Sequence, residues 1–285
     1  MIRIHELPRE AFQTHPRVLP FQQKLQYLQA LLSAGFHTVE TGSVVSPRLL
    51  PQMADSLKLV ESIDLSGTNT RLMMLLVNSK GADLVAPYET ITCLSYPFSI
   101  SRVFAEKNQK SSPEDLIRTA DYIMNICTRT GREFIPYLSM AFGNPYGDPW
   151  TIEILMEWVM HFRDKGISYL PLSNVSIAIS PVLCAEVFRS LYREFPDMEF
   201  GLHLHTRRGN ALDCLKAAWD EGCRNFDTVM AGLGGCPMTG HELLSNLDTA
   251  EMLDFLDENN INAPVSREAY LSLSALSREL FGNGS

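Results

Sequence analysis

The sequence predicts a (β/α)8 barrel, or TIM barrel, that forms one domain over residues 1–285 and carries an additional C-terminal helix. Short runs rich in β-branched and aromatic residues alternate with helical patterns almost from end to end, which is typical of parallel strands joined by crossover helices. Eight strand-like runs can be counted, and 285 residues is an ordinary length for one such barrel. The chain shows no internal repeat and no linker-like tract, which favours a single domain.

The predicted strands are short apolar runs bounded by turn residues. They span residues 2–8, 37–43, 71–77, 90–96, 133–139, 168–174, 199–206 and 225–231. The connections in the third and fourth units are short or irregular. A doubly wound open sheet is therefore the architectural alternative to a closed barrel.

The helix between the first two strands shows helical periodicity clearly. Its apolar residues at 21, 25, 28, 31 and 32 form one stripe, and Gly35 follows as a stop signal. Several other helices have proline near their first turn, and Ser180 is a candidate N-cap. The other predicted helices span residues 113–130, 149–164, 181–193, 209–221 and 248–259, and the additional helix spans 264–281.

Composition excludes several classes of protein. Hydrophobic residues make up 45% and charged residues 20% of the chain, and no run of about 18 apolar residues occurs, so neither disorder nor a membrane span is expected. The net charge is −9 and no basic cluster is interleaved with aromatic residues, so nucleic acid is not an expected partner. The six cysteines include no Cys-x-x-Cys pair and are expected to be reduced. Together with an N-terminus that lacks a targeting pattern, they predict a cytoplasmic protein.

Polar residues accumulate where the predicted strands end, which is where a barrel places its active site. His203 and His205 leave the same face of the seventh strand and could share one metal ion, although buried core histidines are the alternative. Glu10, after the first strand, could complete a ligand set suited to magnesium, manganese or zinc. The alternative for Arg9 and Glu10 is an ordinary exposed ion pair.

A glycine-rich run at residues 232–237 follows the eighth strand. It lacks the lysine of a Walker motif and the spacing of a dinucleotide fingerprint. Its glycines allow a loop in which Cys236 would be accessible, whereas the alternative is a tight turn with a packed thiol.

Together these residues resemble the 3-hydroxy-3-methylglutaryl-CoA lyase family, within the wider group of metal-dependent barrel lyases and Claisen-type synthases. The Ala-Gly-Leu-Gly-Gly-Cys-Pro segment at residues 231–237 is the most discriminating match. The other matching segments are residues 8–10 with Gln13, 40–47, 51–53, 142–146, 203–205 and 245–247.

The resemblance implies a divalent cation, usually magnesium or manganese. Its ligands at the matching positions are Glu10, His203, His205 and Asn246. Glu10 stands where the family has an aspartate, so its side chain is one methylene longer.

The resemblance also implies catalytic roles. Arg9 would stabilise the enolate oxygen of acetyl-CoA, Cys236 would transfer a proton, and Glu40 would be a further active-site acid. Asn174 replaces the family's catalytic aspartate at the end of strand six, which leaves the general base open; His203 is one candidate.

The expected function is cleavage of 3-hydroxy-3-methylglutaryl-CoA, or a related 3-hydroxyacyl-CoA, to acetoacetate and acetyl-CoA. One alternative runs the same chemistry in reverse and condenses acetyl-CoA with a 2-oxo acid. Another is a barrel that binds an acyl-CoA without turnover. The expected partner is the acyl-CoA substrate, and a homodimer is left open.

Overall fold

The structure, a computed structural model, describes residues 1–175, 178–207, 211–235 and 244–282. Eight parallel strands close into the expected barrel: each pairs with the next along the chain, and β8 pairs back onto β1. The open-sheet alternative is therefore wrong. The strands are β1 (Arg3–Glu6), β2 (Thr38–Val44), β3 (Arg71–Leu76), β4 (Ile91–Ser99), β5 (Glu133–Ser139), β6 (Tyr169–Asn174), β7 (Glu199–Thr206) and β8 (Asn225–Thr228).

Helices surround the barrel, and every helix that the sequence predicts is present. The helices expected to start at 149 and 264 each begin three residues later, and the residues at 209–210 lie outside the described part of the chain. The helices are α1 (Pro8–Thr14), α2 (Phe21–Leu32), α3 (Ser56–Ser62), α4 (Ser79–Val85), α5 (Arg102–Phe104), α6 (Pro113–Thr130), α7 (Ile152–Asp164), α8 (Pro181–Glu194), α9 (Ala211–Asp220), α10 (Thr249–Glu258) and α11 (Arg267–Phe281).

The first strand ends earlier than the sequence suggests. Pro8 occupies the first turn of α1, where its missing N–H costs no hydrogen bond and its fixed φ suits a helix. Arg9 and Glu10 consequently lie in the first turn of a helix that begins directly at the carboxyl end of β1. The acidic side chain there also suits the positive end of the helix dipole.

A bulge in β2 lies next to Glu40. Glu40 pairs with Met73 whereas Gly42 pairs with Met74, so Thr41 is an extra residue in the strand. A Cβ on Gly42 would lie 2.5 Å from Ser56 Oγ at the start of α3, so only glycine allows this close approach.

A ninth strand, β9 (Ser245–Asn246), was not expected from the sequence. It runs antiparallel to the end of β7 and pairs Asn246 with His205. Two residues carry too little pattern to predict a strand, since even period-two alternation needs four or more. The pairing brings a residue far along the chain beside the histidine pair.

The additional C-terminal helix α11 packs against α2. Phe281 at its end contacts Phe12 and Tyr27, with ring centroids 5.8 and 5.7 Å apart respectively. In the described part of the chain no helix is long and apolar enough to cross a membrane. Five cysteines are buried free thiols, whereas Cys236 lies outside the described residues; the five are Cys93, Cys127, Cys184, Cys214 and Cys223.

Candidate active site

The predicted site residues that the structure describes gather at the carboxyl ends of the barrel strands, here called the mouth. Each is at most 7% exposed, so none is an ordinary surface side chain; the seven are Arg9, Glu10, Glu40, Asn174, His203, His205 and Asn246. The eighth predicted residue, Cys236, lies outside the described residues.

Arg9 is shared by two carboxylates. Its Nε donates to Glu40 Oε2 at 2.8 Å, and its Nη2 lies 2.7 Å from Glu10 Oε1. Ser95, on β4, donates its hydroxyl to the other oxygen of Glu40 at 2.8 Å. The alternative of an exposed Arg9–Glu10 pair is therefore wrong, because both side chains are less than 10% exposed.

The two carboxyl groups differ in acidity. Burial raises the pKa of Glu40 above its ordinary value, and this effect outweighs the opposing charge of Arg9. Burial would also raise the pKa of Glu10, but Arg9 and the nearby His205 and His203 together lower it. Glu10 is thus the more strongly ionised carboxylate of the mouth.

His203 and His205 face each other. Their Nε2 atoms are 3.0 Å apart, and Asp227 Oδ2 lies 3.0 Å from Nδ1 of His203. Asp227 therefore holds the His203 ring with a proton on Nδ1 and directs Nε2 toward His205. Burial alone would lower the pKa of His203, but the hydrogen bond and charge of Asp227 raise it, whereas burial and His203 lower the pKa of His205 to about 3.

Two lone pairs at this separation repel unless a proton or a cation lies between the nitrogens. A divalent ion about 2.1 Å from each nitrogen, with the ligands at a right angle, would separate them by about 3.0 Å. The buried Nδ1 of His205 has no hydrogen-bond partner in the described part of the chain, so the polar contact of this ring is the one that its Nε2 makes with His203. The imidazole pair thus fits a cation.

The other two predicted ligands, Asn246 and Glu10, lie near this histidine pair and have different polar partners. Asn246 is opposite His205 in the β7–β9 pairing, and its amide nitrogen donates to the Leu233 carbonyl at 2.7 Å. Glu10 is close enough to influence both histidines, but one of its oxygens is engaged by Arg9. Among the residues that the structure describes, no three His, Cys, Asp or Glu side chains already form a cation cluster. The histidine pair fits a cation as it stands, and Asn246 and Glu10 would join it through their side-chain oxygens.

Asn174 binds the main chain of His205. Its amide nitrogen donates to the His205 carbonyl at 2.5 Å, and its carbonyl oxygen accepts from the His205 N–H at 2.8 Å. The side chain thereby extends the β6–β7 ladder by one pair of hydrogen bonds. In this position the amide holds a predicted ligand in place, which an aspartate could do only in part because it lacks the donor.

The residues after β8 reach across the mouth to α1. Gly234 has φ +90°, and a Cβ on it would lie 2.8 Å from both the Cβ and the carbonyl carbon of Glu10. Glycine is needed here both for the left-handed backbone and for the space. The glycine-rich run that the sequence singled out is therefore pressed against a predicted ligand.

Sequence reasoning missed the residues that orient the site. Asp227 lies within a predicted strand and is buried. The available signal was an acidic residue inside a strand-like run, because a buried acid needs a partner. Tyr137, on β5, packs edge-on against His203 with ring centroids 5.7 Å apart. Glu6, at the end of β1, is fully buried and was also missed.

Comparison with known proteins finds matches to the sequence and to the fold of this chain. The sequence profile of the HMGL-like family matches residues 4–274. The chain is 27% identical over 279 residues to the (R)-citramalyl-CoA lyase of Chloroflexus aurantiacus, covering 94% of this chain and 85% of that protein. It is 26% identical over 275 residues to a hydroxymethylglutaryl-CoA lyase of Bacillus subtilis, covering 96% and 91%. The crystal structure of the Bacillus subtilis HMG-CoA lyase matches with a TM-score of 0.91 at 26% identity, over 99% of this chain and 94% of that one.

Proposed function

Because this chain belongs to the HMGL-like family of lyases, we propose that it cleaves a carbon–carbon bond of a 3-hydroxyacyl-CoA with a divalent cation, magnesium or manganese, at the mouth. The first candidate substrate is 3-hydroxy-3-methylglutaryl-CoA, which would give acetoacetate and acetyl-CoA. One observation carries the proposal: a buried arginine lies beside two imidazoles whose Nε2 atoms are 3.0 Å apart. Such a site offers a fixed positive charge for an oxyanion and nitrogen ligands for a cation.

The reaction breaks the bond between the hydroxyl-bearing carbon and the α-carbon of the thioester. Its electron pair passes to the α-carbon as an enolate, the hydroxyl loses its proton to become a ketone, and a proton returned to the α-carbon gives acetyl-CoA. Arg9 stabilises the negative charge that develops on the thioester oxygen. Burial alone would lower the pKa of Arg9, but the charges and hydrogen bonds of Glu10 and Glu40 keep it above its ordinary value, so the guanidinium stays charged.

The cation would be held by His203, His205, Asn246 and Glu10. When bound, it supplies Lewis-acid polarisation of the hydroxyl and of the ketone that replaces it. The ionised Glu10 is a candidate for the group that accepts the hydroxyl proton. His203 can accept it at Nε2 only while that atom is not a ligand.

We propose that the thiol of Cys236 donates, from its Sγ, the proton that returns to the enolate carbon. It follows Gly234 by two residues, and Gly234 packs against Glu10. Cys236→Ser should lower kcat by about 10²–10⁴-fold, the usual contribution of general acid catalysis. Tm and Mn²⁺ affinity should stay near those of the parent. A kcat close to that of the parent would make water or His203 the proton donor.

A second substrate is favoured by the similarity to the (R)-citramalyl-CoA lyase. Cleavage of citramalyl-CoA releases pyruvate in place of acetoacetate, and its reversal condenses acetyl-CoA with a 2-oxo acid. The catalytic groups are the same, because both substrates carry a tertiary hydroxyl next to the bond that breaks.

A panel of hydroxyacyl-CoA thioesters, incubated with the protein in Mg²⁺ or Mn²⁺, tests the proposal. Products are identified by mass: acetyl-CoA with acetoacetate supports the first substrate, and acetyl-CoA with pyruvate supports the second. Thioester binding without turnover of any substrate in either metal would leave a non-catalytic acyl-CoA-binding barrel.

A further inference from the structure

Glu6 is a completely buried acid that the proposed reaction does not use. It ends β1, four residues before Glu10, and is 0% exposed. Its Oε1 accepts the main-chain N–H of Met230 at 2.7 Å, and its Oε2 accepts the hydroxyls of Thr228 and Thr249 at 2.9 and 2.7 Å. The side chain thus joins β1, the turn after β8 and the start of α10.

The turn that Glu6 holds has an unusual backbone. Ala231, next to Met230, has φ +59°, a left-handed conformation that costs a non-glycine residue about 1 kcal/mol or more. Such a conformation persists only where neighbouring contacts determine it. The hydrogen bond from the Met230 N–H to Glu6 is one such contact, made immediately before the strained residue.

The same turn touches two of the proposed cation ligands. Asn246 donates its amide N–H to the Leu233 carbonyl at 2.7 Å, and Gly234 packs against the backbone of Glu10. A shift of residues 230–234 would therefore displace Asn246 and Glu10 together. The turn is the common support of one ligand from β9 and one from α1.

We propose that Glu6 is a positioning residue that, by accepting the Met230 N–H, fixes residues 230–234 and so keeps Glu10 and Asn246 in place to bind the cation. The inference rests on the proposed cation site. Glu6 contacts neither the histidines nor Arg9, so it acts through the main chain.

The role depends on reach and on an acceptor atom, and not on negative charge. Burial raises the pKa of Glu6 to about 8, the nearby Asp248 adds to the rise, and the three hydrogen bonds oppose it. The side chain is therefore largely uncharged at neutral pH, and in that form Oε2 carries the proton and donates it to one of the two threonine hydroxyls. A glutamine could place its oxygen at Oε1 and its NH2 against the two threonine hydroxyls, which also accept hydrogen bonds. An aspartate is one methylene too short to span the same groups.

Two conservative variants test this, with Mn²⁺ affinity measured by titration calorimetry as the readout, alongside kcat, KM and Tm. Glu6→Gln should bind Mn²⁺ within about threefold of the parent. Glu6→Asp should bind it about tenfold more weakly, the lower end of the usual effect of losing a residue that orients metal ligands. Its kcat should fall more than its KM rises, because the altered ligands act on the reacting groups.

Thr70→Val is the matched control. Thr70 is buried at the opposite end of the barrel, and its hydroxyl hydrogen-bonds to the Phe36 carbonyl at 2.8 Å. It should lower Tm and leave Mn²⁺ affinity unchanged. The proposal is overturned if Glu6→Asp keeps the parent affinity, if Glu6→Gln loses as much as Glu6→Asp, or if Thr70→Val weakens Mn²⁺ binding equally. A parent protein that does not bind Mn²⁺ would instead overturn the proposed cation site.

Discussion

The two ends of the barrel contain the same kinds of charged side chain in different arrangements. The amino ends of the strands, here called the pole, surround a cavity of about 320 Å³ lined by two arginines, two glutamates and two histidines. Arg3 pairs with Glu199 and Arg71 pairs with Glu133, each across an intervening strand. These four side chains are 31–49% exposed, so each ion pair is a weak brace screened by water.

At the mouth the numbers of positive and negative side chains in the ion-paired group are unequal. One arginine serves two carboxylates there, and all three side chains are less than 10% exposed. Both ends hold a pair of histidine rings that meet edge to face, with ring centroids 4.7 Å apart at the mouth and 5.2 Å apart at the pole. At the mouth the Nε2 atoms of His203 and His205 are 3.0 Å apart. Charge that is balanced and hydrated at the pole is concentrated and desolvated at the mouth, where it can act on a substrate.

The contrast between Arg9 and Arg71 predicts the largest effect. Arg9→Gln should lower kcat by about 10²–10³-fold, because it removes the group that stabilises the negative charge of the enolate. Arg71→Gln removes a half-exposed brace worth up to about 1 kcal/mol and should leave kcat within about twofold. Steady-state kinetics on purified variants, with circular dichroism to verify folding, measure both. Similar losses in the two variants would erase the distinction between the ends.

Asp227 gives the next effect, since it orients a histidine of the mouth. Asp227→Asn should weaken Mn²⁺ binding about 10–100-fold, because the amide no longer fixes the proton on His203 Nδ1. Glu133→Gln, an acid-to-amide change at the pole, is the control and should leave Mn²⁺ affinity unchanged. Calorimetric titration provides the comparison. An unaltered affinity in Asp227→Asn would mean that His203 is not a ligand.

Substitution of Asn174 should have a smaller effect on kcat. Whether kcat rises or falls in Asn174→Asp distinguishes two interpretations of this residue. The family resemblance suggests that restoring the acid with Asn174→Asp raises turnover. The hydrogen bonds to His205 suggest the opposite, because aspartate cannot donate to the His205 carbonyl at neutral pH. Losing one such bond costs about 1 kcal/mol, and we expect kcat to fall about fivefold. A rise in kcat with either candidate substrate would show that the missing acid limits catalysis.

At the pole, His37 should affect stability alone. Burial, His5 and two arginines lower its pKa to about 4, whereas an unfolded chain titrates near 6.5. The unfolded state therefore binds more protons between these values, so stability is lost as the pH falls from about 6.5 to 4. His37→Gln should lose less stability over this interval, with kcat unchanged. Urea unfolding at pH 7 and pH 4.5 measures the difference, and an identical pH dependence in both proteins would contradict it.

Local pattern was sufficient for the strands and the long helices. All eight barrel strands lie within about three residues of the predicted bounds, because each is an apolar run between turn residues. The helices α1, α3 and α4 were missed, since seven residues make only two turns and show little periodicity. The sequence also indicated Arg9 and Glu10, which follow a recognisable strand, and the histidine pair, which lies near the end of another.

The amino-acid sequence alone predicted the parallel strands, the family and the residue types available at the mouth. Which of those side chains meet was decided by tertiary structure. Asn246 lies beside His205 because the short strand β9 pairs with β7. Asn174, on β6, binds the main chain of His205 on the neighbouring strand β7. Glu6 meets Met230 across 224 residues of chain. Periodicity records which face of an element is buried, but contacts between distant residues depend on barrel closure and strand register, and no local pattern encodes either.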